Sequence, residues 1–159
     1  MFQVKIGFQT NLTNHKSLPT IEQFTLWINS VGSYLNKDTE ISITIVDNDE
    51  IKQLNSDYRN KNKPTNILSF ASELYSDDQV PINFLGDLVM CQDVIEYEAK
   101  IQKKKLIDHW AHITIHGMLH LIGFDHINEN DAEKMEKIEI EALRKLGISN
   151  PYLHYYSEN

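Results

Sequence analysis

With 159 residues the chain is long enough for one domain with a hydrophobic core of its own. Its 41% hydrophobic and 24% charged residues are typical of a soluble globular protein; no apolar run nears the ~20 residues that span a bilayer, and the single cysteine, Cys91, excludes an internal disulfide and a thiolate-rich zinc site. A net charge of −8 removes any general attraction to nucleic acid or anionic membranes, so a nucleic-acid role requires a local basic patch.

No repeat, low-complexity tract or Gly/Ser linker divides the chain, so a single domain over 1–159 in a reducing cytoplasm is expected. The opening "MFQVKIGFQT" alternates apolar and polar residues; it reads as a strand over 2–8 and not as a signal peptide. Next, "TIEQFTLWINSVGSYL" carries Ile21, Phe24, Trp27, Ile28 and Val31 at helical spacing, after Pro19 and with Thr20 as cap. "ISITIV" (41–46) is a second strand. "DNDEIKQLNSDYR" predicts a short helix capped by Asp47 or Asn48, with Ile51 and Leu54 inward.

Strands over 66–74 and 84–90 follow, joined by the polar loop "YSDDQVPIN". Three helices close the chain at 92–104, 108–121 and 129–146. The last carries Ala132, Met135, Ile138, Ala142, Leu143 and Leu146 on one face and Gly147 as its stop. The order βαβαββααα predicts an α/β (α+β) fold, with a mixed sheet of roughly four strands packed by about five helices.

The segment "DHWAHITIHGMLHL" places His112, His116 and His120 in one helical stripe, with His109 just before. A solvated or hydrogen-bonded face is one reading of such a stripe. An i, i+4 pair can share an ion, but three in a row cannot converge: eight residues of helix span about 12 Å, whereas zinc–nitrogen bonds are about 2 Å. A third ligand must come from chain that has turned back, and Gly123 supplies the turn before His126. The pattern His116-x-x-x-His120-x-x-Gly123-x-x-His126 has the spacing of the metzincin zinc segment, and three imidazoles favour Zn²⁺, one ion. Three ligands leave a position open, as in catalytic sites; a fourth, such as Asp125, would close it into a structural one. Where metzincins place a glutamate base after the first histidine, this chain has Gly117, which cannot move a proton. That demotes a peptidase.

"LNSDYRNKNKPTNILSF" brings Arg59, Lys61 and Lys63 before a proline turn and a strand. They form either a solvated loop or an anion clamp, in which the guanidinium forks to phosphate oxygens. "QKKK" (102–105) is a second basic cluster, or a complement to a helix C-terminus. Asp87 could orient a ligand or cap a strand end.

"HGMLHLIGFDH", "YRNKNKPTNILSF" and "FLGDLVM", in this order, together with "HWAHITIHG" and "GISNPY", resemble the YbeY family of bacterial rRNA maturation endoribonucleases. The resemblance covers nearly the whole chain. It implies a single-domain metal-dependent hydrolase, similar in fold to a small metalloprotease core, that cuts single-stranded RNA. Its implied roles are small-subunit 16S rRNA 3′-end maturation and ribosome quality control, with the small ribosomal subunit and its associated factors as partners and no membrane or DNA partner. On this resemblance His116, His120 and His126 match the metal ligands and Arg59 the functionally important arginine; His112 matches a histidine that is not a ligand. Phe124 and Ala71 stand where tyrosine and proline are common, and Asn66 takes no acid–base role. The expected reaction is hydrolytic phosphodiester cleavage, with Arg59 stabilising the charge that builds on phosphorus. The alternatives are a peptidase or other hydrolase on the same site, and a ribosome-associated module with a structural zinc.

Overall fold

Four strands and five α-helices are laid down in the computed structural model, which describes residues 3–12, 17–73, 83–125 and 128–153. Strand β1 (Val4–Thr10) leads into α1 (Ile21–Asn29) and a 3₁₀ turn at Gly32–Tyr34; β2 (Thr39–Val46) leads into α2 (Asn48–Arg59). Then come β3 (Ile67–Ala71), β4 (Phe84–Cys91), α3 (Gln92–Ile101), α4 (Leu106–Ile122) and α5 (Glu129–Lys145). The sheet order is β1-β2-β4-β3. The first three are mutually parallel, and β3 runs antiparallel along the β4 edge. This is the mixed four-stranded α/β arrangement expected from the element order.

Caps fix the helix starts. The Thr20 hydroxyl accepts from the Gln23 amide while the Gln23 side chain accepts from the Thr20 amide, a reciprocal capping box. Asp47, and not Asn48, caps α2 by accepting from the Glu50 amide at 2.9 Å. Strand alternation then sorts the sheet faces. Ile41, Ile43 and Ile45 on β2, with Leu88 and Met90 on β4, face the larger core, where Phe24 and Trp27 of α1 meet Trp110 of α4. Val46, Leu68, Val89 and Cys91 face the other way, onto Ile51 of α2.

Helix α4 is the pivot of the molecule. It touches β3, β4, α1, α3 and α5, and most of its residues are buried, as its near-continuous apolar sequence requires. Gly86 lets β3 press onto β4: a Cβ there would stand 2.4 Å from the Phe70 carbonyl oxygen, with the backbone at φ 157°.

Several boundaries differ from the sequence reading. β1 continues to Thr10, because Gln9 and Thr10 keep their parallel pairing with Thr44 and Ile45. The strand expected over 66–74 covers only Ile67–Ala71; Ser72 donates one last bond to the Leu85 carbonyl, and Glu73 is exposed. Most of "YSDDQVPIN" lies outside the described residues. α3 stops at Ile101, not 104, because Lys103 turns left-handed (φ 54°) and Lys104 bonds back to the Ala99 carbonyl. α4 begins two residues before the expected 108.

Candidate metal centre and basic cleft

The burial of α4 decides what its histidines can do. His116 and His120, one turn apart near its C-terminal end, turn their Nε2 atoms toward each other at 3.1 Å. Two imidazole nitrogens bound to one tetrahedral zinc at about 2.0–2.1 Å stand about 3.3 Å apart, so the pair has the separation that a shared ion requires. Gly123 ends the helix at φ 120°, its amide bonded to the Leu119 and His120 carbonyls. His126, the third expected ligand, lies outside the described residues. Among the described residues no three His, Cys, Asp or Glu side chains converge as a metal site, with or without Asp125.

Glu139 supports the pair, and the sequence reading passed over it. It projects from α5 into the space behind α4 and is fully buried. One carboxylate oxygen accepts from His116 Nδ1 at 2.5 Å; the other accepts from His112 Nε2 at 3.2 Å and from the Tyr152 hydroxyl. A carboxylate can only accept, so the His116 proton sits on Nδ1 and its Nε2 lone pair points to His120. This is the carboxylate–histidine arrangement that fixes the tautomer of metal-binding imidazoles. Burial pushes Glu139 up, but the hydrogen bonds and charge of His112 and His116 outweigh it and hold the group at about 2. His112 itself is pushed below its ordinary value by burial, against the pull of Glu139.

A second acid, Glu98 on α3, anchors the other end of the row. It accepts from His109 Nε2 at 3.0 Å and from the Asn66 amide at 3.1 Å. Burial raises its pKa, and the bonds from His109 and Asn66 bring it below the usual carboxylate value. Asn66, which was expected to take no acid–base role, ties the entrance of β3 to α3 and, through Glu98, to α4.

Arg59 is the last residue of α2, and the turn after it is stapled. Asn60 takes the left-handed position (φ 58°), and buried Asn55 donates its amide to the Lys63 carbonyl at 2.9 Å. The guanidinium lies over the Phe70 ring at 5.1 Å and donates to the Ser69 carbonyl at 3.0 Å. Arg59, Lys61, Lys63, Asn66, His116 and His120 all line one cleft of about 520 Å³. No carboxylate stands among its described lining residues. A protein of net charge −8 therefore holds a locally cationic cleft against its histidine pair.

Other expected groups fall elsewhere. "QKKK" does not line the cleft: Lys104 is half-buried in the charge field of Glu98, and burial lowers its pKa. Asp87 accepts from the Ser42 hydroxyl on the sheet face opposite α4, in the middle of β4 and not at a strand end. At Gly117 a Cβ would stand 2.4 Å from Ile67 Cδ1 and 3.0 Å from Leu88 Cδ2, so α4 and the sheet meet where a protease would hold its base.

Fold and cleft together define a class: a mixed-sheet α/β protein with paired histidines on its central helix beneath a basic rim. The family model described as Endoribonuclease YbeY matches residues 8–147, and the chain belongs to that family. The Endoribonuclease YbeY of Colwellia psychrerythraea (strain 34H) is 54% identical over 140 residues, covering 86% of this chain and 89% of the relative. The solution structure of TM1509 from Thermotoga maritima aligns with a TM-score of 0.55 over 92% of both chains at 24% identity, a likeness of fold.

Proposed function

We propose that the protein is a metal-dependent endoribonuclease that cleaves single-stranded RNA in rRNA processing, including small-subunit 16S rRNA 3′-end maturation and ribosome quality control, with the small subunit and its factors as partners in the cytoplasm. The observation that carries this reading is the single cleft bringing Arg59, Lys61 and Lys63 to the paired Nε2 atoms of His116 and His120. Membership of an endoribonuclease family supports it.

His116, His120 and His126 are the residues that would hold Zn²⁺. When bound, the ion supplies Lewis-acid polarisation of a phosphoryl oxygen and an acidified water. The protein's own groups do the rest. Arg59, seated over Phe70 and bonded to the Ser69 carbonyl, presents its remaining N–H groups to the phosphate and to the charge that grows on phosphorus. Lys61 and Lys63 draw the flanking backbone into the cleft as point charges. Glu139 keeps the His116 proton on Nδ1, leaving Nε2 as a donor to the metal.

The test is cleavage of a single-stranded rRNA fragment by rigorously purified protein of measured metal content, alongside His116→Ala and Arg59→Ala. Wild type should cut, His116→Ala should not, and Arg59→Ala should lose about 100-fold or more in kcat/KM, the scale of one transition-state donor. Equal cleavage by His116→Ala would end the proposal. A peptide assay run beside it separates the peptidase alternative.

A further inference from the structure

The cleft does not end at the histidines. Ala71 and Leu121, on its far wall, also line a second hollow of about 300 Å³ that opens toward the 3₁₀ turn. Leu35, Leu85, Leu121 and Ile122 form its apolar floor, and Asn36 and Ser72 are its polar side chains. Tyr34 forms the outer wall, nearly half exposed and braced edge-to-face against Phe124 at 5.3 Å. Among its described lining residues no side chain is charged. Beyond Tyr34 the surface turns predominantly acidic, with Asp125 and Asp131 against Lys134 around a third depression.

This sequence of surfaces has the polarity of a nucleotide strand. A cationic cleft takes phosphate. An uncharged hollow with an aromatic wall and two amide or hydroxyl groups suits a nucleobase, which has an apolar face and a polar edge. It does not suit a phosphate, which finds no cation there, and the two carboxylates beyond discourage the backbone from going further. A single strand can unstack one base into such a hollow; a duplex holds its bases inside.

We infer that this hollow is a nucleobase subsite, in which the base adjoining the phosphate at His116 and His120 stacks on Tyr34 with its edge toward Asn36 and Ser72. The inference rests on the reading of the cleft as an RNA site and adds to it a physical source for single-strand preference.

An abasic scan tests it. A short single-stranded RNA cleaved by the zinc-loaded wild type is remade with one base deleted at each position in turn. One position, at a fixed offset from the cut, should raise KM about tenfold, the scale of one lost base–aromatic stack. In Tyr34→Ala the intact RNA should show that same loss, and the abasic penalty at that position should vanish; Tyr34→Phe should behave as wild type. A merely structural role for Tyr34 would weaken all substrates alike and leave the penalty in place. A wild type that cleaves with a flat abasic series, whatever the variants do, overturns the subsite while sparing the endoribonuclease. A wild type that neither binds nor cuts RNA overturns both.

Discussion

Glu139→Gln removes one charge from the buried carboxylate and leaves its shape nearly unchanged. In the wild type the group is held at about 2 against an ordinary 4.5, which corresponds to roughly 3 kcal/mol in favour of the ionised form within its ring of donors. The glutamine amide retains a neutral hydrogen bond to His116 Nδ1, worth about 1 kcal/mol. Part of that pull is shared with His112, and losing the part that orients His116 should weaken zinc binding about 10-fold or more, within the 10–100-fold span typical of such outer partners. Competition for Zn²⁺ against a chromophoric chelator measures this directly, without RNA. Nitrogen-15 spectra of the metal-free protein give a second readout: the His116 proton, wholly on Nδ1 in the wild type, should spread to both ring nitrogens in the variant. A Glu139→Gln protein that binds zinc within about threefold of wild type, with His116 unchanged in tautomer, would refute the reasoning.

Stability of the metal-free protein should fall with acid in two stages. His112 is depressed by burial, so the unfolded chain takes up its proton first as pH drops through about 6.5, and stability declines below that point. The Glu139 contribution is whole above about pH 4.5 and fades toward pH 2, again because the unfolded state binds the proton first; chemical denaturation between pH 8 and 3 would trace both, and a flat profile would contradict them. Gly86→Ala should cost roughly 3 kcal/mol or prevent folding, since its Cβ meets a backbone oxygen rather than a movable side chain; urea denaturation measures it. Gly117→Glu, which restores the protease base in sequence, should yield a less stable protein without peptidase activity, because Ile67 and Leu88 occupy the space. Cys91 is fully buried, with burial raising its thiol pKa, so a thiol reagent should react with it only as the protein unfolds.

What the sequence disclosed, and what it hid, follows from how each residue is held. Periodic apolar faces marked α1 and α5, and alternation marked β1 and β2, because one side of each element meets water. The end of α3 was hidden because a lysine, Lys103, takes the left-handed turn where a glycine would have announced it. Arg59 and the His116–His120 pair were visible as residue types at informative spacings, and the fold brings them to one cleft. Glu139 was invisible as a functional group because glutamates on an amphipathic helix are usually solvated. The signal lay in its place: four residues after Met135 and three before Ala142, on the stripe that is otherwise apolar. Asn55 left a similar trace, buried on a helix whose other inward residues, Ile51 and Leu54, are apolar. A polar residue in register with the core is the mark that reading by composition alone overlooks.

Gly117 and Arg59 are coupled through one strand residue. Ser69 donates its hydroxyl to the Gly117 carbonyl at 3.3 Å, and its own carbonyl receives the Arg59 guanidinium at 3.0 Å. The absence of a side chain at 117 lets β3 lie against α4, and β3 in turn carries Arg59 to the rim above His116 and His120. The same glycine that empties the position of a protease base thus positions a cation facing the histidine pair. A carboxylate at 117 would have to displace the Ile67, Leu88 and Ser69 side chains that flank this seat. On this packing, the seat of Arg59 depends on Ser69, the β3 residue that is bonded both to it and to the Gly117 carbonyl.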